Sequence, residues 1–223
     1  DDMPATVMEL DKNYHLNLNS FASAEAQIAN LSDDIAYLSH DIDDSLRAGL
    51  FQLSELETLP IINDILAEIR SAYPDLAEQR LCNELTRRLI ASFVNDLLAQ
   101  SYSNLNALNP QTPDDIRQAG FAIIAHSKPM KLALSDIRGF LFKNMWRHYK
   151  VNRMMNKAQK LLKDIFSEFH QKPELLPNEW QKKVSGLSEI DSARVVADYV
   201  ASLTDREAML EHERLFEPSP IMK

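Results

Sequence analysis

A single cysteine and only 4 glycines restrict how this chain can be built. One thiol cannot close an internal disulfide. Cys82 lies among apolar residues at helical spacing, which reads as a small buried side chain and not as a nucleophile. So little glycine, in a chain whose most frequent residues are Leu and Ala, favours helices over sheets. No segment alternates cleanly at period two between turn signals, so no strand is expected. No apolar run reaches the length of a membrane span, and the acidic start is no signal peptide. The net charge of −9 counts against general nucleic-acid binding by the whole chain. A reducing, cytoplasmic setting without a membrane partner follows as the default.

What is present describes a helical body. An apolar fraction of 45% excludes a disordered chain, and 223 residues suffice for one large domain or two small ones with a real core. The expected fold class is all-α. The chain begins Asp1-Asp2-Met3-Pro4, without an initiator methionine, which fits a processed fragment and equally a trimmed start.

Asp33-Asp34-Ile35-Ala36-Tyr37-Leu38-Ser39-His40-Asp41-Ile42-Asp43-Asp44 is the most informative stretch. Asp33, Tyr37, Asp41 and, nearly in line, Asp44 recur at i, i+4, i+8 and i+11. On a helix they share one face, with neighbouring Cβ atoms about 5–6 Å apart. His40 sits beside the stripe, and Ile35, Leu38 and Ile42 fall on other sides. Spacing alone allows a solvated acidic face or a functional one. An aromatic between two carboxylates can offer a metal ligand, a stacking surface and a hydroxyl acceptor together.

Proline, glycine and capping residues divide the rest into helices. The first long one starts near Ser20–Ser23, where serine can cap and Glu25 complements the dipole, and runs to about Gly49. A short piece at 53–59 stops at Pro60, and 61–72 is helical before Pro74. Leu81, Leu85, Leu89, Phe93 and Leu97 mark the core face of a helix over 76–108. Thr112-Pro113-Asp114-Asp115 is a cap with proline in the first turn. Helical regions are expected at 128–171 and, beyond a proline-rich interruption, at 190–216.

A basic run from Lys143 to Lys163 stands out in so acidic a chain. It holds Lys143, Arg147, Lys150, Arg153, Lys157, Lys160 and Lys163, with no acid before Asp164. Met145, Trp146, Tyr149, Met154, Met155, Leu161 and Leu162 are interleaved and should supply the buried side. The readings are an amphipathic helix with a solvated basic face or phosphate contact, with a nucleotide or a single-stranded nucleic acid. His126, His148, His170 and His212 show no metal-ligand spacing, and His212 reads as a surface residue. Thr204-Asp205-Arg206 reads as a structural cap with an ion pair.

Three blocks in order carry a resemblance. They are Ala22–Gln27 with Asp33–Tyr37 and His40–Leu50, then Phe140–Val151, then Val196–Arg206. Together they look like the deoxyguanosinetriphosphate triphosphohydrolase-like proteins of the HD-domain phosphohydrolase superfamily. That resemblance implies an irregular multi-helix bundle of the HD type. It makes residues 1–50 the end of the catalytic domain and 51–223 a C-terminal helical region packed on it.

It also implies metal-assisted hydrolysis of a deoxynucleoside triphosphate to the deoxynucleoside and tripolyphosphate, with attack at the α-phosphorus. The family holds its metal with two histidines and two aspartates. By resemblance Asp33 is the last of these, for Mn, Mg, Fe, Co or Zn. Tyr37 would pack on the deoxyribose and crowd a 2′-hydroxyl, and Asp41 would accept from the 3′-hydroxyl. Lys143 and Arg147, inside a matching block, are the candidates for phosphate contact. No His-Asp pair precedes Asp33, since His40-Asp41 follows it. The chain therefore reads as the C-terminal part of a longer enzyme, inactive alone, and no residue present takes the acid/base role. Members of the family are commonly oligomers. The competing expectation is a non-enzymatic helical interaction module, or one responsive to nucleic acid through the basic helix.

Overall fold

The computed structural model describes residues 3–218. Every regular element among them is helical, as the composition requires. The chain divides into two compact units, Asp1–Arg147 and His148–Lys223.

The first unit contains α1 (Ala5–Tyr14), α2 (Ala24–Arg47), α3 (Leu53–Leu56), α4 (Pro60–Ala72), α5 (Glu78–Leu108), α6 (Pro113–Arg117) and α7 (Lys128–Leu141). A π turn over Phe142–Trp146 follows α7 directly. Helix α2 begins where expected, with the Ser23 hydroxyl accepting from the Ala26 N–H. It ends in a Schellman arrangement: Leu50 N–H bonds to Ser45 O and Gly49 N–H to Leu46 O. Gly49 takes φ +60° there, the left-handed conformation that closes such an end. Pro60 does more than end the preceding piece. It opens α4, where its missing N–H costs nothing. Thr112 caps α6 with proline in the first turn, as expected, and it also forms a capping box with Asp115.

Helices α2 and α4 pack on the long α5, and α7 and α6 on α2. Leu81, Leu85, Leu89, Phe93 and Leu97 are all buried, against Ile35, Leu38 and Ile42 of α2, Ile62, Leu66 and Ile69 of α4, and Ile137 and Leu141 of α7. Each such side chain contributes about 1.5–3 kcal/mol by leaving water. Cys82 is half-buried and unpaired. Burial first, then Glu78 and Asp43, raise its thiol pKa, so it stays protonated at neutral pH.

The second unit contains α8 (Tyr149–Gln171), a 3-10 turn at Pro173–Leu175, α9 (Asn178–Val184), α10 (Glu189–Ser202) and α11 (Asp205–Phe216). Its core joins Ile165, Phe169, Leu176, Val184, Val196, Tyr199 and Ala208, with α10 and α11 against α8.

Three expectations are corrected. The helical region at 128–171 is broken at Arg147–His148, where the π turn ends and the His148 ring accepts from the Lys150 N–H. The region at 190–216 is two helices, because Thr204 and Glu207 form a capping box that starts a new one. The cap at 204–206 is thus the threonine hydroxyl. Tyr149, Met154, Met155 and Leu162 do not supply a buried side. All are exposed, because only the second half of α8 carries the core residues of this unit.

Candidate functional site

The acidic stripe lies on α2, whose opposite side is fixed in the core by Ile35, Leu38 and Ile42. That anchorage leaves Asp33 exposed and Tyr37 55% exposed. Asp41, one turn further, retains only 9% exposure. The difference comes from Trp146 at the end of the π turn. Its indole N–H donates to Asp41 Oδ2 at 2.9 Å, and its ring lies 6.2 Å from the Tyr37 ring at a 44° tilt. The indole occupies one carboxylate oxygen and leaves Oδ1 as the acceptor.

Burial raises the Asp41 carboxyl above its ordinary value. The Trp146 hydrogen bond opposes that rise, and the Asp44 charge adds to it. A carboxylate held this way gains from any further donor.

The π turn brings part of the basic run to the same place. It is closed by the Arg147 N–H to Phe142 O bond of 3.0 Å. The Phe142 ring meets Trp146 edge-on at 6.3 Å, and the Arg147 guanidinium lies 5.0 Å over Phe142. Tyr37, Asp41 and Arg147 are therefore joined through Trp146 and Phe142. Lys143 is exposed on the same turn and stands outside this chain of contacts. Asp34 pairs with Arg138 of α7 at 3.1 Å, which turns it away from the stripe. His40 lines a cavity of about 410 Å³ between α2 and α5, with Ile28, Ile35, Val94, Leu98 and Tyr102.

Among the described residues no three His, Cys, Asp or Glu side chains converge as a metal site. The exposed Asp33 carboxylate suits one ligand position. His126 is committed elsewhere: its Nδ1 lies 3.0 Å from Asp96 Oδ2, and Ser127 donates to the same carboxylate from its N–H and hydroxyl. Burial tends to raise the Asp96 pKa, but the Ser127 and His126 hydrogen bonds outweigh it and the net value is lowered. His212 is not a simple surface residue. It is half-buried, with Nε2 3.3 Å from Asp164, which also pairs with Lys160 at 2.7 Å.

In the second unit Lys150, Arg153, Lys157, Lys160 and Lys163 are all exposed along α8, and Arg153 covers the Tyr149 ring at 5.1 Å. The sequence places Trp146 in a matching block and on an expected buried side, with no role in the site. The signal it carried was chemical: a half-buried indole N–H needs an acceptor. The Asp96–His126–Ser127 cluster had no comparable signal.

Comparison with known proteins bears on these residues. A family described as a phosphohydrolase-associated domain matches residues 124–214. A deoxyguanosinetriphosphate triphosphohydrolase-like protein of Azorhizobium caulinodans is 41% identical over 223 residues, covering 100% of this chain and 56% of the relative. Proteins of the same name from Parvibaculum lavamentivorans and Caulobacter vibrioides are 40% and 42% identical, over 97% and 94% of this chain and 54% and 53% of theirs. The chain spans a little over half the length of these curated relatives. The chain is therefore similar along its whole length to part of the deoxyguanosinetriphosphate triphosphohydrolase-like proteins, and it is all-helical as the resemblance implies.

Proposed function

We propose that this chain is the C-terminal portion of a metal-dependent deoxynucleoside triphosphate triphosphohydrolase, and that it supplies the sugar side of the active site. The observation that carries the reading is the convergence of Tyr37 and Asp41 on Trp146, one turn from the exposed Asp33 on the same helix face. An exposed phenol ring gives a flat apolar surface for a deoxyribose. Asp41 Oδ1 accepts from a 3′-hydroxyl, and the partly buried setting strengthens that bond. A 2′-hydroxyl would meet the Tyr37 ring, which offers it no hydrogen-bonding partner on its face.

Asp33 contributes one carboxylate to a divalent metal whose other ligands lie outside this chain. Such an ion, when bound, supplies positive charge and a polarised water. Arg147 lies one ring away from the sugar site and Lys143 one turn before it, positions from which cations offset triphosphate charge. Residues 1–50 belong on this reading to the catalytic domain, and the chain alone is inactive.

In the full-length protein, Tyr37→Ala should lower the ratio of kcat/KM for dGTP to that for GTP by about tenfold, as expected when a wall that excludes one hydroxyl is removed. An unchanged ratio would take Tyr37 out of the sugar site.

A second reading rests on the five exposed cations of α8, which suit a single-stranded nucleic acid that tunes the enzyme. Binding that weakens steeply with salt would support it, and no binding at low salt would remove it.

A further inference from the structure

Asp41 and Tyr37 are poor recognition groups unless something holds them. The terminal torsion of an aspartate is broad and roughly two-fold, so an unsupported carboxylate presents either oxygen over a range of directions. An exposed tyrosine, here 55% accessible, is likewise free to swing. One side chain touches both. Trp146 binds Asp41 Oδ2 at 2.9 Å through Nε1 and places its ring 6.2 Å from Tyr37.

Trp146 is itself well fixed. It packs against the core of the first unit, Phe142 meets its ring edge-on, and it ends a π turn closed by the Arg147 to Phe142 backbone bond. The contact with Asp41 spans 105 residues of sequence. It therefore reports tertiary assembly of α2 with the end of α7, not local helix geometry.

We infer that Trp146 is a positioning residue that holds Asp41 and Tyr37 as a pair and thereby sets selectivity for a sugar bearing a 3′-hydroxyl. This rests on the reading of Tyr37 and Asp41 as the sugar site. The indole takes Oδ2 and points Oδ1 at the 3′-hydroxyl, while its ring limits the swing of the phenol. A purely structural tryptophan would lower activity on every substrate alike. A positioning tryptophan changes the preference between substrates that differ only at the 3′ position.

The test uses the full-length protein with dGTP and its 2′,3′-dideoxy analogue. Trp146→Phe keeps an aromatic ring and removes the donor. The ratio of kcat/KM for dGTP to that for the analogue should fall about tenfold, the size expected for a lost hydrogen bond to a charged group. In an Asp41→Asn background the same change should leave the ratio where Asp41→Asn alone puts it, because the two groups act as one unit.

If Asp41→Asn lowers the ratio and Trp146→Phe does not, the inference is wrong and the sugar-site reading stands. If Asp41→Asn itself leaves the ratio unchanged, the sugar-site reading falls and the inference with it. Should Trp146→Phe fail to fold, Trp180→Phe together with phenylalanine at every tryptophan outside this chain leaves Trp146 as the sole tryptophan of the full-length protein. The emission of that tryptophan should then change with dGTP more than with the analogue, and equal changes would overturn the inference.

Discussion

At Asp41 burial works against the ionised carboxyl, the Trp146 N–H compensates in part, and Asp44 adds its own repulsion. The folded pKa lies above the ordinary 3.8, so ionisation is disfavoured by folding. That penalty is absent below the unfolded value and grows to its full size as pH rises past the folded one. Asp41→Asn, which keeps an oxygen for the indole, should therefore unfold at the same or a higher temperature than the parent at pH 7. The advantage should vanish well below pH 3.8. Lower stability of the variant at neutral pH would contradict this account of the carboxylate.

Asp96 titrates with the opposite sign. Its folded pKa is lowered, so its stabilising effect is complete above 3.8 and is lost as pH falls through the folded value. Asp96→Ala leaves the His126 Nδ1–H and two Ser127 donors without their acceptor. A cost of about 2–3 kcal/mol follows at neutral pH, shrinking in acid. Denaturant unfolding at pH 7 and in acid measures both. Neither residue's behaviour could be read from spacing, because the partners lie 105 and 30 residues away.

Among the elements, α2 was legible because its signals are local. Ser23, Glu25 and Gly49 mark its ends, and the apolar positions fix which side faces the core. The breaks at Arg147–His148 and Leu203–Thr204 were not foreseen, since neither contains glycine or proline. At the second, the pattern Thr204-x-x-Glu207 was the available sign, realised as Thr204 N–H to Glu207 Oε2 at 2.8 Å and Glu207 N–H to Thr204 Oγ1 at 3.3 Å. Thr204→Ala should cost about 1 kcal/mol of stability, measured by chemical denaturation. A change within error would mean that α11 is held by packing and not by its cap. For α8 the sequence showed two faces, but periodicity does not say which part of a helix finds a partner. Met154 and Met155 remain exposed, while Ile165 and Phe169, further along, are fully buried.

For the molecule as a whole, the all-α class followed from composition and from the absence of alternating segments. The division between Arg147 and His148 did not, because the basic run continues through it without a change in composition. The stripe of Asp33, Tyr37 and Asp41 was visible as helical spacing, but Trp146, which gives two of them a common partner, was visible only as one letter in a matching block. No helix among the described residues is long and apolar enough to cross a membrane.

The most direct test of the central claim is tripolyphosphate release from dGTP with a divalent metal, comparing the full-length protein with its Asp33→Ala variant. The account predicts metal-dependent release by the full-length protein and a loss of at least about a thousandfold, with reduced bound metal, in the variant. Full activity and normal metal content in the variant would contradict it.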